Sequence, residues 1–398
     1  MKKVYIKIRN IIIYCFWKSI YFILLFFGQY KTINKEKILV ISIQLIGDAV
    51  MVSPIFKNLV KYNNIDCVDV LCSNLEKDVF EHCRYVKNIL VINSFEEFIK
   101  SKNIKCFSRG IYRLWYCMYI FKYTYNNIRN KYSIIIVPRW HMDLMFISII
   151  SLISGVKHRY AYSENTSKEK KIKRYFQYHY FTTVYNHGAA CHESEKFLDL
   201  IKMIGYKVED KNIALTHKTT NKIPSGIKYA VLALDTSNNK KEWDINNFLK
   251  ISDFLEKCGL WIVLLGVKKA YGEYYERNTN CIKYINLIGK TTVSEAIDII
   301  ADSEIYIGCD TGLSHIAAAV DVKGIVIFSN SKFEEPWQPS SVTRMRPKSN
   351  NIIVVQPDLP LAPCKTICIS EYAHCVNLVE PENIIEIIKK LLIKGGLK

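Results

Sequence analysis

Three short stretches of this chain place acids, hydroxyls or cations where a strand gives way to a loop or helix. The first is Ile305–Ala319, IYIGCDTGLSHIAAA. A β-prone run, Ile305–Gly308, meets the polar turn Asp310-Thr311-Gly312, and a small-residue helix follows over Leu313–Ala319. Such a junction points backbone N–H groups and the positive end of a helix dipole at one place, which suits a phosphate. Gly312 lets a ligand approach the backbone closely. Thr311 adds a hydroxyl, and His315 lies about one turn further along the helix. The plainer alternative is a capped helix at an ordinary turn, with His315 a satisfied helix residue.

The second stretch is Lys37–Pro54, KILVISIQLIGDAVMVSP. Ile38–Ile43 is apolar and β-branched, as for a strand buried on both faces of a parallel sheet. Ile46-Gly47-Asp48 turns the chain into a helical period over Ala49–Tyr62, with Pro54 near its start. The C-terminal end of a first strand in an α/β unit faces the ligand crevice. An acid there, Asp48, is either a helix cap or a general base. The third stretch is Tyr229–Gly266: a strand to Leu234, a polar loop with Lys240, Lys241 and Trp243, a helix over Asn246–Lys257, and a strand over Leu260–Leu265. A lysine on such a loop can reach an anion in the same crevice.

The elements that must position these residues alternate between strand and helix throughout, which predicts an α/β fold with mainly parallel sheets. At 398 residues and 49% hydrophobic, the chain supports two cores. Residues 35–211 read as one α/β domain, 212–227 as a polar linker with Pro224 and Gly226, and 228–398 as a second α/β domain. Strands are expected at Ile38–Ile43, Val68–Leu71, Ile89–Ile92, Ile134–Val137 and Arg159–Tyr162 in the first. In the second they are expected at Tyr229–Leu234, Leu260–Leu265, Ile285–Lys290, Ile305–Gly308 and Val322–Phe328. Helices are expected over Val293–Ala301 and, with Pro and acids first and lysines last, over Pro381–Lys390.

A net charge of +18 calls for an acidic partner. No helix-turn-helix, zinc-finger or RRM signature is present, so nucleic acid is the weakest choice beside anionic lipid and phosphorylated glycan. Residues 1–34 form a separate element. Ile11–Phe27 holds a single charge, Lys18, and Lys3, Lys7, Asn10, Tyr14 and Lys18 form one polar stripe on a helix. A charge at mid-span disfavours crossing a bilayer. The pattern predicts an amphipathic helix lying in the membrane interface, with no signal-peptide cleavage site after it.

Phe98–Met142 contains no acid, and its nine Lys and Arg residues are interleaved with Trp115, Tyr116, Tyr119, Phe121, Tyr123 and Tyr125. That is either a lipid- or sugar-facing surface or an aromatic core helix with a basic rim. The run Lys168–Arg174 (KEKKIKR) reads as an exposed loop whose Lys171 and Arg174 could touch an anionic acceptor. Arg344 and Arg346 read as surface cations, with phosphate contact the alternative.

The 13 cysteines are scattered through apparent strands and helices, a pattern of reduced thiols in a cytoplasmic protein. Cys364, Cys368 and Cys375, beside His374, could ligate zinc. The spacing is not that of a common finger, and they are read as structural thiols, with no metal site.

The three stretches together resemble the family 9 glycosyltransferases, the lipopolysaccharide heptosyltransferase family. The resemblance rests on the first strand with Gly47-Asp48 and Pro54, on Lys241-x-Trp243, and on Asp310-Thr311-Gly312-x-x-His315-x-Ala317-Ala318. It spans roughly Lys35 to Leu392. It implies a GT-B fold, two Rossmann-like domains facing a cleft, with the nucleotide-sugar donor on the C-terminal domain and the acceptor on the N-terminal one. It further implies inverting, metal-independent transfer of heptose from ADP-heptose to the lipopolysaccharide core, an anionic lipid-linked acceptor, with no cofactor.

In that setting Asp48 is the base. Lys241, the Thr311 hydroxyl and the Thr311 and Gly312 amides receive the leaving diphosphate, and Asp310 shapes the turn. Asp310, Thr311, Gly312 and His315 fall on the donor side and Gly47, Lys171 and Arg174 on the acceptor side. The enzyme is expected on the cytoplasmic face of the inner membrane. The chain departs from the family pattern at Ser42, where many relatives have arginine, at Gln44, where they have small or hydroxyl residues, and at Asp244, where proline is common. These departures keep open a related cell-surface glycan transferase with another nucleotide sugar. A non-catalytic polyanion- or membrane-binding protein of the same fold is a third reading, against which Asp48 together with Lys241 argues. A nicotinamide dehydrogenase is disfavoured because no G-x-G-x-x-G follows a strand.

Overall fold

The computed structural model describes Cys15, Ser19, Phe22 and residues 36–101, 109–138, 147–163, 181–186, 191–338, 340–366 and 369–393. Most of the expected interfacial helix, the basic loop with Lys171 and Arg174, and Cys368 lie outside the described residues.

Among the described residues twelve parallel strands form two sheets, the central ones from apolar β-branched runs. The first sheet holds β1 (Lys37–Ile41), β2 (Cys67–Cys72), β3 (Ile89–Val91), β4 (Ile134–Val137), β5 (His158–Ser163) and β6 (Thr183–Asn186), in the order β3-β2-β1-β4-β5-β6. The second holds β7 (Tyr229–Ala233), β8 (Trp261–Leu265), β9 (Tyr284–Asn286), β10 (Ile305–Cys309), β11 (Gly324–Ile327) and β12 (Ile352–Val355), in the order β12-β11-β10-β7-β8-β9. Counted from its own first strand, each sheet has the doubly wound order 3-2-1-4-5-6. The strand order therefore reverses between β1 and β4 in one sheet and between β7 and β10 in the other. Ligands bind outside the carboxyl ends of the strands at such a reversal. The edge strands β6 and β12 were not among the expected strands.

Helices cover both faces, which is why β1 and β7 read as unbroken apolar runs and are buried along nearly their whole length. In the first half these are α1 (Ile46–Val52), α2 (Asn74–Glu81), α3 (Phe95–Ser101), α4 (Arg109–Asn127), α5 (Ile147–Ile153) and α6 (Glu193–Met203). In the second they are α7 (Ile245–Lys257), α8 (Lys269–Asn278), α9 (Val293–Ala301), α10 (Gly312–Ala319) and α11 (Pro381–Ile393). The single helix expected over Ala49–Tyr62 is broken. It stops at Val52, restarts as a turn over Pro54–Lys57, and ends in a π-turn over Asn58–Tyr62. Proline at position 54 leaves the preceding turn short of one N–H donor, and the chain steps there.

The aromatic stretch resolves into α4. Tyr112, Tyr116 and Ile120 are buried, and Tyr116 packs against Phe95 and Phe98. Its hydroxyl donates to the Asn93 carbonyl at 2.9 Å. Most of these rings are buried or packed against the core, and Met118 and Tyr125 are among the side chains of α4 that face solvent. Among the described residues no helix is long and apolar enough to cross a membrane.

The two halves share one apolar core. Val50 and Met51 of α1 belong to the same cluster as Ile316 and Ala317 of α10. The connection between the sheets is packed into it. Ile213, Leu215 and Ile223 are buried, the Leu215 N–H donates to the Ala319 carbonyl at 3.1 Å, and the Thr216 N–H donates to the His82 carbonyl at 2.8 Å.

Candidate active site

The reversal in the second sheet puts two loop mouths side by side, one after β7 and one after β10. From the first comes Lys241, at the end of a single 3₁₀ turn over Asn239–Lys241, held by Asn238, whose side chain accepts from the Lys240 N–H at 3.1 Å. From the second comes Asp310. The Lys241 ammonium pairs with the Asp310 carboxylate across the reversal. Asp310 is buried and Lys241 is a quarter exposed, so the cation is the member that faces outward. Lys240, equally available by sequence, does not make this contact, because the 3₁₀ turn directs the two lysines differently.

The rim around this pair is fixed by buried acids. Asp235, just after β7, accepts the Val267 N–H at 2.8 Å and the Lys268 N–H at 2.6 Å. A side chain on Gly266 would collide with the Asp235 carboxylate, and Gly266 also has φ +154°. Glu242 pairs with Lys268 and accepts the Tyr271 hydroxyl at 2.6 Å. Trp243 is buried, and its indole N–H donates to the Val379 carbonyl at 2.9 Å. The tryptophan is thus a scaffold residue that anchors the loop carrying Lys241. The expected departure Asp244 caps α7 by accepting the Asn246 N–H at 2.9 Å.

Thr311 is the N-cap of α10 with extended backbone, but its hydroxyl does not cap the helix. Its Oγ1 is buried with no hydrogen-bond partner among the described residues. Buried hydroxyls are rarely left so unless something else satisfies them. The turn therefore offers helix-terminal N–H groups beside a lysine ammonium, with the enclosed Thr311 hydroxyl behind them, a combination suited to an anionic oxygen.

The facing wall comes from the other sheet. A Cβ built on Gly47 would stand 2.8 Å from His315 Cδ2, and one on Gly312 would stand 2.8 Å from Ile46 Cβ. Gly312, which reads from sequence as a point of ligand approach, and Gly47, which reads as a turn on the acceptor side, are points where α1 and α10 meet. Asp48, one residue beyond Gly47, is buried in the first turn of α1. His315 is almost wholly buried, and burial drives its imidazole down to about 4, so it is neutral near pH 7. Its Nδ1 has no hydrogen-bond partner among the described residues. A second cation for a diphosphate, which a histidine beside this turn could suggest, is thereby absent.

Replacing Gly47 or Gly312 by alanine should push α1 and α10 apart. Overpacking of this kind costs about 1–3 kcal/mol. Denaturant unfolding would read it directly, and a fully stable Gly47→Ala together with a fully stable Gly312→Ala would show that the two turns do not meet in solution.

A residue the sequence reading passed over is Glu76. It is fully buried beside the end of β1 and closes a capping box with Ser73, whose hydroxyl donates to it at 2.8 Å. Ser42 Oγ, at the departure from the family pattern, also donates to it at 3.1 Å. The signal was present as Ser73-x-x-Glu76, a helix-start pattern. Burial pushes this carboxyl up to about 7 despite four donors. The folded state therefore holds the proton more tightly than the unfolded chain. The stability this provides is complete below pH 4.5, the unfolded value, and is lost as pH rises through about 7. Glu76→Gln has no charge to desolvate, so its melting temperature should gain on the parent's as pH rises from 5 to 8. A gap that stays constant over that range would contradict this.

Arg344 is not a surface cation. It is buried, pairs with Glu193 of α6 at 2.8 Å, and donates to the Trp337 carbonyl at 2.9 Å. His192 donates to the Arg346 carbonyl at 2.8 Å, and Lys348 pairs with Glu195 at 3.0 Å. These contacts tie the loop after β11 to the first half of the chain. Lys171 and Arg174 lie outside the described residues.

A family model described as glycosyltransferase family 9 (heptosyltransferase) matches residues 150–367. A lipooligosaccharide heptosyltransferase 2 of Campylobacter jejuni is 28% identical over 258 residues, 61% of this chain and 71% of that protein. A lipopolysaccharide heptosyltransferase 1 of Escherichia coli K12 is 22% identical over 184 residues, 45% of this chain and 56% of that protein. Among solved structures, that of the Escherichia coli ADP-heptose lps heptosyltransferase II superposes with a TM-score of 0.66 at 16% identity. It covers 90% of this chain and 99% of its own. A glycosyltransferase family 9 structure from Veillonella parvula gives 0.69 at 13% identity, covering 92% and 100%. At these identities the structures speak to fold, two Rossmann-like domains facing a cleft.

Proposed function

The chain belongs to glycosyltransferase family 9, the heptosyltransferases, and from that premise we propose that it transfers heptose from ADP-heptose to the lipopolysaccharide core with inversion and without a metal at the diphosphate. The observation that carries this reading is the Lys241–Asp310 pair at one strand reversal, packed through His315 against the Gly47-Asp48 turn of the other. The donor would lie on residues 228–398 and the lipid-linked acceptor on 35–211, with 212–227 between them.

In this mechanism the acceptor hydroxyl attacks the anomeric carbon while Asp48 takes its proton. The bond from that carbon to the ADP oxygen breaks, and negative charge grows on the diphosphate. Lys241 Nζ, Thr311 Oγ1 and the N–H groups opening α10 receive it. Asp310 holds Lys241 in place before donor arrives. His315 stands as a neutral group on the donor side, supporting the turn from behind, with Gly312 shaping the turn and Gly47 permitting the close approach of the acceptor side. Lys171 and Arg174 would meet the anionic acceptor. Isothermal titration with ADP-heptose, ADP-glucose, UDP-glucose and GDP-mannose tests the donor. ADP-heptose binding at least tenfold tighter than the rest is expected, and preference for another nucleotide sugar would overturn the assignment.

A second reading, a cell-surface glycan transferase using another nucleotide sugar, draws on Ser42. That side chain is turned to Glu76 and offers no cation to a ligand.

The enzyme is further proposed to sit on the cytoplasmic face of the inner membrane, held by residues 1–34. Each basic residue near an anionic surface adds about 1 kcal/mol. Deleting residues 1–34 should release most of the protein from membranes and spare activity on a soluble acceptor fragment. A truncated protein that still pelleted with membranes would refute the anchor.

A further inference from the structure

Behind the Lys241 loop, the segment between β12 and α11 brings Cys364, His374 and Cys375 together, with one ligand atom of each within 4.8 Å of the others. Both sulfurs are buried. Cys364 Sγ stands 3.6 Å from His374 Nε2. A tetrahedral ion with bonds of about 2.3 Å to sulfur and about 2.0–2.1 Å to nitrogen sets those two ligands about 3.6 Å apart.

Two further features suit a metal. Each sulfur receives a backbone N–H, Cys375 from Leu361 and Cys364 from Ile369, both at 3.3 Å. A thiol is a weak acceptor, whereas the thiolate that a metal requires is a good one. His374 Nδ1 is buried with no hydrogen-bond partner among the described residues. Either ring nitrogen of a neutral imidazole can ligate a metal, and this half-buried ring has an unpartnered nitrogen to spare.

We propose that Cys364, His374 and Cys375 bind one divalent metal ion, with zinc the best match to two thiolates and an imidazole. The ion is structural. The same segment holds the donor loops from behind: Val379 accepts from Trp243, Asn377 Oδ1 accepts the Asp244 N–H at 3.0 Å, and the Thr366 carbonyl accepts from Gln338 at 2.8 Å. Metal binding here braces the loop carrying Lys241 without entering the reaction.

The test uses the full chain, purified without a polyhistidine tag in a reducing buffer, and needs neither donor nor acceptor. Elemental analysis should find about one zinc per chain, and cobalt substitution should give a thiolate-to-cobalt charge-transfer band. Cys375→Ser and His374→Ala should each lose the band. If these variants do not fold, release of metal from the parent by a strong chelator should expose two additional thiols to alkylation. One iron per chain in place of zinc would overturn the zinc assignment. Less than about a tenth of an ion per chain after zinc loading and dialysis, a Cys364–Cys375 disulfide, or a band that survives both substitutions would overturn the site.

Discussion

Asp48→Asn is expected to remove transfer while leaving donor affinity within a few-fold of the parent. The carboxylate is buried in the first turn of α1, and the proposed mechanism has it meet the acceptor rather than the donor. General-base catalysis contributes typically about 10²–10⁴-fold. The asparagine keeps the shape and the buried packing, so loss of rate without loss of fold isolates the proton transfer. The informative measurement is the pair of kcat and donor Kd on one preparation. Near-parental turnover would remove Asp48 from the mechanism.

Lys241→Ala carries the second large effect. Losing a charge-assisted contact costs about 1.5–3 kcal/mol, a ten- to hundredfold loss of donor affinity. The truncation also leaves the buried Asp310 carboxylate without its cation, next to an incoming diphosphate. The loss should therefore exceed that of Thr311→Ala, which removes one neutral hydroxyl. Lys241→Ala combined with Asp310→Asn should recover part of the affinity, because the repulsion is removed with the acid. Calorimetric titration with ADP reads all three variants. A double variant as weak as Lys241→Ala would mean that Asp310 does not act through charge, and unchanged affinity in both single variants would remove the lysine and the threonine from the donor site.

How far the chain could be read before its fold was known differs from element to element. The central strands β1, β7 and β10 were legible because burial on both faces demands an unbroken apolar run, and each run ends in a polar turn. The edge strand β6 was not, because Thr183–Asn186 lacks an apolar run. The edge strand β12, Ile352–Val355, is an apolar run preceded by the turn residues Ser349, Asn350 and Asn351 and was legible, but it was not among the expected strands. The turn Asp310-Thr311-Gly312 and the lysine loop were visible as local patterns, whereas the ion pair joining them depends on strand order, a long-range property.

Gly47 and Gly312 show the same limit. Sequence marks Gly312 as a place where something comes close and Gly47 as a turn, and only the packing shows that each meets the other half of the chain. Arg344 was read as a surface cation and Glu76 was passed over for a related reason. A charged side chain is exposed by default, and these two are buried because partners from distant segments, Glu193 for one and Ser42 for the other, close over them. In α4 the acid-free composition suggested a surface, but the ring spacing places Tyr112 and Tyr116 inward.

The most direct test of the reaction is a transfer assay with purified enzyme, ADP-heptose and a heptose-deficient lipopolysaccharide core, without added magnesium or manganese. Mass spectrometry should show the core gaining one heptose with ADP released in equal amount, and NMR of the product should show the anomeric configuration opposite to that of the donor. Retention of configuration, a strict requirement for added magnesium, or release of ADP with no sugar on the core would contradict the account.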